Sequence, residues 1–259
     1  MATVLITGAS NGIGLELAKI HASKKDNLVL VARNGKRLNE LKADLEKLYG
    51  VVITCIEKDL SQKDSALDVF RETQSLDIPI DYLINNAGFG DFGMFAETDW
   101  LKEQQMIQLN ITTLTQFTKL YLQEMLKRRS GKIMNVASTA AFQSGPTMSV
   151  YFATKAYVLS FSEAIDNEVR DHGISVTTLC PGPTESGFQS AAAMEESPLI
   201  KGKKLPTSRE VAEYGYNSMM HGKSVAIHGT LNYILANAVR FMPRSWVVKI
   251  TRKIQGGVS

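Results

Sequence analysis

Thr7-Gly8-Ala9-Ser10-Asn11-Gly12-Ile13-Gly14 closes the apolar run Thr3–Thr7 and leads directly into a stretch that places Ile13, Leu17 and Ile20 on one helical stripe. Glycines permit a tight turn and close backbone approach, and a helix start offers free N–H groups at the positive end of its dipole. The spacing is GxxxGxG rather than the commoner GxGxxG. Its position between strand and helix, more than the glycines themselves, marks Gly8, Ser10, Asn11, Gly12, Ile13 and Gly14 as a pyrophosphate-binding loop. The competing reading is a turn that merely joins a strand to a helix.

Working outward, short β-branched runs alternate with amphipathic stretches. The runs predict strands over Thr3–Thr7, Leu28–Ala32, Val51–Ile56, Tyr82–Asn85, Ile133–Ala137, Ile174–Leu179 and Val225–Ile227. They are continuously apolar, as expected of strands buried on both faces of a parallel sheet. Leu38, Leu41, Leu45 and Leu48 form a second helical stripe. The alternation predicts an α/β fold: a single-domain Rossmann arrangement over residues 1–259, with a doubly wound parallel sheet of about seven strands and helices on both faces.

The 259 residues are 44% hydrophobic and 21% charged, which excludes disordered and fibrous classes. The net charge of +3 is unevenly spread: no Asp or Glu follows Glu213, whereas Lys223, Arg240, Arg244, Lys249, Arg252 and Lys253 do. Residues 1–213 thus hold 23 of the 29 basic residues against all 26 acidic ones, a balance of −3, and the rest carries +6. Cys55 and Cys180 lie in apolar runs far apart, which suits buried, reduced thiols and a cytoplasmic setting better than a disulfide framework. The N-terminal segment has no signal-peptide pattern, and no run is long and apolar enough to predict a membrane span.

The second strand bears on the cofactor. Folds that prefer NAD place an acid at its end to bind the ribose 2′-hydroxyl; here Ala32 stands there and Arg33 follows. A guanidinium can bind a 2′-phosphate bidentately, so the sequence favours NADP(H). The bland alternative makes Arg33 a solvated helix-entry residue.

Tyr151-Phe-Ala-Thr-Lys155 opens a helical pattern running to about Arg170, and the i, i+4 spacing sets phenol and ammonium on one face. Taken alone this is usually a buried aromatic beside a surface lysine. A neighbouring cation lowers a phenol from about 10 toward a useful range for proton transfer. Ser138 follows the Ile133–Ala137 run, Asn85-Asn86-Ala87-Gly88 ends another strand, Asn110 lies within a helical stretch, and Pro181-Gly182-Pro183-Thr184 ends the sixth strand. All of these fall at carboxyl edges of strands except Asn110, where asparagine is a mediocre helix former.

In these motifs and their order the sequence resembles the short-chain dehydrogenase/reductase family over roughly residues 2–184: TGASNGIG (7–14), Asp59-Leu60, NNAG (85–88), Asn110, Ser138, YFATK (151–155) and PGPT (181–184). The resemblance implies an NADP(H)-dependent oxidoreductase with a catalytic tetrad of Asn110, Ser138, Tyr151 and Lys155. It further implies that Asp59, Leu60, Asn86, Ala87 and Gly88 help bind the adenosine half, that Tyr151 and Lys155 meet the nicotinamide ribose, and that Pro181, Gly182 and Thr184 border the cofactor. Lys155 is expected to lower the Tyr151 pKa, and Asn110 to hold a water leading from Lys155 to solvent. A homodimer or homotetramer is expected by the same analogy. The rival reading is a catalytically silent NADP(H)-sensing regulatory or scaffold protein, against which the complete tetrad argues.

Three segments are expected to border the substrate: Phe89–Phe95, Thr139–Val150 and a lid over 187–205. They supply Phe89, Phe92, Met94, Phe95, Phe142, Met148, Phe188 and Met194, which suit a largely apolar ketone, aldehyde or alcohol. Lys201, Lys203 and Lys204 keep an anionic substrate open. Residues 240–259 read as a basic amphipathic extension with Trp246, Val247, Ile250 and Ile254 in one stripe opposite Arg244, Lys249 and Arg252. Such a segment rests on an anionic membrane surface, handles a lipid-like substrate, or docks on its own or a partner subunit. His21, His172, His221 and His228 are scattered, so no metal is predicted, and no basic–aromatic pattern predicts nucleic-acid binding. Lys127, Arg128 and Arg129 read as a helix C-terminus, favourable with its dipole.

Overall fold

Val4, Leu5 and Ile6, like Val29, Leu30 and Val31, are fully buried at consecutive positions, because helices cover both sides of the sheet they belong to. The computed structural model describes residues 1–185 and 204–256. Its strands are β1 (Thr3–Thr7), β2 (Asn27–Ala32), β3 (Ile53–Glu57), β4 (Tyr82–Asn85), β5 (Gly131–Val136), β6 (Ile174–Cys180) and β7 (Val225–Ile227). They pair in the order β3-β2-β1-β4-β5-β6-β7, every pair parallel. The expected doubly wound Rossmann-type sheet is therefore present.

The helices are α1 (Gly12–Ser23), α2 (Gly35–Tyr49), α3 (Ser65–Ser75), α4 (Trp100–Ile107), α5 (Leu114–Arg128), α6 (Ser149–Val169), α7 (Ser208–Met220), α8 (Thr230–Ala238) and α9 (Arg244–Ile254). Leu17, Leu38, Leu41, Val211 and Met219 seat α1, α2 and α7 on one face. Val69, Phe117, Tyr121 and Val169 seat α3, α5 and α6 on the other. Local chemistry sets the starts: the Asn34 side chain accepts from the Arg37 N–H at α2, and Thr207 and Glu210 form a reciprocal capping box at α7. The basic run ends α5, as expected, and Arg129 closes it in the left-handed region.

From β3 the chain crosses back over β2 and β1 to lay down β4 beside β1, so the strand order reverses between β1 and β4. Loops leaving two such strands diverge and open a crevice at their carboxyl ends. That crevice receives residues 8–14 from β1 and 86–88 from β4.

Several expectations change in detail. The third strand begins at Ile53 rather than Val51, because Val52 donates its N–H to the Asn27 side chain before the ladder starts. Cys180 is buried but Cys55 is only partly so. The stripe expected at the C-terminus divides: Val247, Thr251 and Gln255 turn inward, whereas Trp246, Ile250 and Ile254 stay 61%, 45% and 51% exposed. A row one residue wide is all that docks, and the Thr251 hydroxyl is satisfied within it by the Val247 carbonyl at 2.9 Å. Among the described residues no helix is long and apolar enough to cross a membrane.

Candidate active site

The loop after β1 is held open by side chains beneath it. The Asn86 Nδ2 donates to the carbonyls of Thr7 at 2.9 Å and Gly8 at 3.2 Å, and the Thr7 hydroxyl oxygen accepts from the N–H groups of Asn86 and Ala87, each at 3.0 Å. Gly8 takes φ +67°, and α1 lies so close above it that a Cβ on Gly14 would stand 2.4 Å from the Gly8 carbonyl oxygen. Asn11 caps α1 by accepting from the Gly12 N–H at 2.8 Å. Ser10, Gly12 and Ile13 are partly exposed at this helix start. A pinned loop, a glycine-limited approach and a helix N-terminus together fit a dinucleotide pyrophosphate.

At the end of β2, Arg33 lines an open cavity of about 410 Å³ with Glu57, Lys58, Asp59, Gln62 and Lys63. Lys58 pairs with Asp68 at 2.6 Å. Burial opposes charge on Asp59, but hydrogen bonds from Ser61 and Gln62 and the nearby Arg33 outweigh it and hold the carboxyl below its usual range. The space and its single arginine fit the adenosine end of a dinucleotide. Glu57 is a neighbour that sequence reasoning missed, because the β2–β3 register that sets Ala32 opposite Glu57 is not visible along the chain. Leu60 is buried beneath, and its carbonyl accepts from Thr113 at 2.9 Å.

Four elements bring the expected catalytic residues to the end of β5. Ser138 follows that strand and caps a single 3₁₀ turn, Thr139–Phe142, accepting from the Ala140 N–H at 3.1 Å. Tyr151 and Lys155 come from the first turns of α6, both nearly buried, and the Ser138 hydroxyl hydrogen-bonds the Tyr151 phenol. The Lys155 ammonium donates to the Val136 carbonyl at 2.9 Å and lies 5.8 Å from the centre of the Tyr151 ring. Asn110 sits in a π-helical turn, Gln108–Thr113, inserted between α4 and α5; such insertions commonly mark functional positions.

Gly88 ties these parts together, because a Cβ there would stand 2.9 Å from Asn110 Oδ1 and 3.4 Å from Lys155 Nζ. Both Asn110 Nδ2 protons are committed, to the Phe89 carbonyl at 3.0 Å and the Thr154 hydroxyl at 3.1 Å, while Oδ1 accepts from the Phe89 N–H at 3.3 Å. The side chain therefore pins the 88–89 turn, and only the second lone pair of Oδ1 could serve the expected water.

The electrostatics depart from expectation. Burial, against the Ser138 hydrogen bond, pushes the Tyr151 phenol up to about 12, where a lowering by Lys155 was expected. Burial likewise brings Lys155 down to about 8. Two uncharged-favouring environments lie side by side, so the phenol stands ready as a donor and the ammonium carries an unmet electrostatic demand. Behind Lys155, burial pushes the Cys180 thiol up to about 12 and keeps it neutral.

Around the phenol, Phe89, Phe92, Met106, Met148 and Phe152 form one apolar cluster. Phe142 belongs to a different cluster with Ala141 and Val158, and Met94 and Phe95 point outward at 41% and 61% exposure. The expected lid 187–205, with Phe188, Met194, Lys201 and Lys203, lies outside the described residues save Lys204 and Leu205. After β6, Pro181 accepts from the Thr139 N–H at 2.9 Å, and the Thr184 hydroxyl donates to the Gly182 carbonyl at 2.9 Å. Asn232 of α8 crowds Gly182, where a Cβ would meet its Nδ2 at 2.5 Å. Nothing local in the sequence announces that neighbour. Among the described residues no cluster of His, Cys, Asp and Glu could hold a metal.

The family model described as short chain dehydrogenase matches residues 2–197. Ketoacyl reductase HetN of Nostoc sp. is 30% identical over 206 residues, covering 80% of this chain and 71% of that protein. The 17-beta-hydroxysteroid dehydrogenase type 3 of Mus musculus is 33% identical over 181 residues, covering 68% of this chain and 58% of that enzyme, which is less than two thirds of its length. A solved short-chain dehydrogenase from Sphingobium yanoikuyae in complex with NADPH aligns over 93% of this chain and 94% of that one, with 29% identity and a TM-score of 0.82. The bulky-bulky ketone specific alcohol dehydrogenase from Comamonas testosteroni aligns over 100% of this chain and 97% of its own, with 26% identity and a TM-score of 0.80.

Proposed function

The chain belongs to the short-chain dehydrogenase family and is an oxidoreductase of that kind; on this premise we propose that it is an NADP(H)-dependent carbonyl reductase or alcohol dehydrogenase for a bulky, largely apolar substrate. The observation that carries the reading is the buried Ser138–Tyr151 hydrogen bond, with Lys155 close to the same ring and apolar side chains clustered with it.

Gly8, Ser10, Asn11, Gly12, Ile13 and Gly14 hold the pyrophosphate, and Arg33 meets the 2′-phosphate. Asp59, Leu60, Asn86, Ala87 and Gly88 enclose the adenosine side, and Pro181, Gly182 and Thr184 the nicotinamide side. When bound, the nicotinamide supplies a hydride to the substrate carbonyl carbon. Ser138 and Tyr151 donate hydrogen bonds to the carbonyl oxygen and stabilise the negative charge that develops there. Tyr151 then gives its proton to that oxygen, and the alcohol leaves a phenolate. Lys155, held as an ammonium in a buried place, stabilises that phenolate as it forms, so its attraction is largest where the charge is new. Solvent restores the proton. Asn110 acts by fixing the 88–89 turn beside Lys155.

The NADPH in the Sphingobium structure supports the cofactor, and the ketoacyl, hydroxysteroid and bulky ketone names of the relatives support the substrate class. We take the chain to act as one catalytic unit, 187–205 as its lid, and the assembly to be a cytoplasmic homodimer or homotetramer. A screen following NADPH oxidation at 340 nm tests the reading. Turnover is expected with bulky apolar ketones, with 3-ketoacyl esters and ketosteroids in the panel; NADPH binding without turnover of any carbonyl would instead favour the sensing-scaffold reading.

A further inference from the structure

Helix α8 is built the wrong way out for a protein surface. Leu231, Ile234 and Leu235 are 68%, 56% and 54% exposed, and the side chain turned inward is the small Ala236. A surface helix ordinarily turns its polar side outward. The turn that follows carries Phe241 at 90% exposure, the highest of any large apolar side chain described. In α9, Trp246, Ile250 and Ile254 form an exposed i, i+4, i+8 row beside the inward row of Val247, Thr251 and Gln255. Exposed Lys249 and Lys253 form the adjacent row, and exposed Arg240 and Arg244 precede them.

We propose that the outward apolar and basic face of α8 and α9 docks on an anionic lipid bilayer. Charge decides between a bilayer and a second copy of this chain. A two-fold contact would bring this face against itself, setting Arg240, Arg244, Lys249 and Lys253 against like charges, with no Asp or Glu side chain after Glu213 to offset them. An anionic bilayer surface meets the same cations favourably. Its interface also takes the rest of the face: Trp is favoured at that depth, aliphatic side chains sink below it, and lysine stems lie along the apolar boundary with the ammonium in water. The narrow docking row of α9 leaves the helix attached to the body while this lateral face stays free to meet lipid. Ala236 packs with Ala141 and Phe142 of the turn that follows Ser138, so the docking helix is joined directly to the active-site edge.

Sedimentation of the full chain with sucrose-loaded vesicles tests this. Vesicles of phosphatidylcholine mixed with phosphatidylglycerol are expected to bind at least about 10²-fold more tightly than phosphatidylcholine alone. Each cation contributes about fivefold, so Lys249→Gln with Lys253→Gln should weaken binding about 25-fold. Trp246→Ser with Ile250→Ser should abolish it, and both double variants should keep the thermal transition and NADPH affinity of the parent. In a Trp100→Phe background, Trp246 emission should shift to the blue on anionic vesicles only. Equal and negligible sedimentation with both vesicles overturns the proposal. So does binding that neither double variant weakens, or Trp246→Ser with Ile250→Ser splitting an oligomer while lipid binding is nil.

Discussion

At the carboxyl ends of β1, β4 and β5, polar groups are sunk in protein and tied to one another; in α8 and α9, apolar groups are turned to the outside. Both regions break the ordinary rule that apolar goes in and polar goes out, and they break it in opposite senses. In the crevice most of these groups find hydrogen-bond partners inside the chain, with Asn85 Oδ1 the exception among the side chains there. Asn110 is matched by Phe89 and Thr154, Lys155 by the Val136 carbonyl, and Asn86 by Thr7 and Gly8. In the C-terminal helices nothing within the described chain covers the exposed row. A compensated anomaly points to chemistry held in place, and an uncompensated one points to something outside the molecule.

The contrast can be broken from either side. Arg33→Asp removes a guanidinium and adds a carboxylate where a 2′-phosphate is expected, so the preference for NADPH over NADH should fall about 10²-fold. Steady-state kinetics with both cofactors check this, and an unchanged ratio would make Arg33 a bystander beside Glu57. Asn110→Ala takes both side-chain partners from the part-buried backbone groups of Phe89, while the Thr154 hydroxyl keeps the Tyr151 carbonyl, costing about 2 kcal/mol of stability, with a fall in kcat as the 88–89 turn loosens. Denaturant unfolding with parallel kinetics would expose a merely decorative asparagine by leaving both unchanged.

The pH dependence follows from Lys155. Its ammonium is the form that stabilises the phenolate, and burial has brought its loss down to about 8. Ketone reduction should therefore be level below that pH and fall about tenfold per unit above it. A profile flat to pH 10 would contradict the assignment, since the ordinary lysine value of about 10.4 would then apply. The smallest effect belongs to the tail: Trp246→Ser should alter folding stability by less than about 0.5 kcal/mol, because its ring is 61% exposed. A larger loss would mean that the ring packs against a partner copy.

Much of this was legible along the chain because it rests on local chemistry. The run from Thr3 to Gly14 reads correctly as strand, glycine loop and helix, since Gly8 needs its positive φ and Gly14 its missing side chain. The seven described strands are visible as apolar runs, with ends displaced by one or two residues, at the start of β3 because the Asn27 side chain takes the Val52 N–H. The placement of Ser138 just past a strand end, and of Tyr151 and Lys155 one turn apart on a helix, was legible from position and helical spacing.

What was hidden depends on register and burial. Glu57 beside Arg33 is a consequence of strand pairing, and Asn232 against Gly182 of a contact between elements about 50 positions apart. The upward shift of Tyr151 could not be read from YFATK, because spacing reports the neighbouring cation but not the removal of water from both groups. The division of the tail stripe, with Val247 inward and Trp246 outward, was equally invisible, since periodicity says which residues share a side and not how wide the dock is.

The most direct test of the central claim is Tyr151→Phe, with NADPH oxidation and NADPH binding measured on the same preparation. The ring keeps its packing with Phe152 and Met148, and only the hydroxyl that bonds Ser138 is lost. The account predicts kcat lower by about 10³-fold or more, with NADPH affinity unchanged within about threefold. Turnover retained within about tenfold would contradict it and remove Tyr151 as the proton donor.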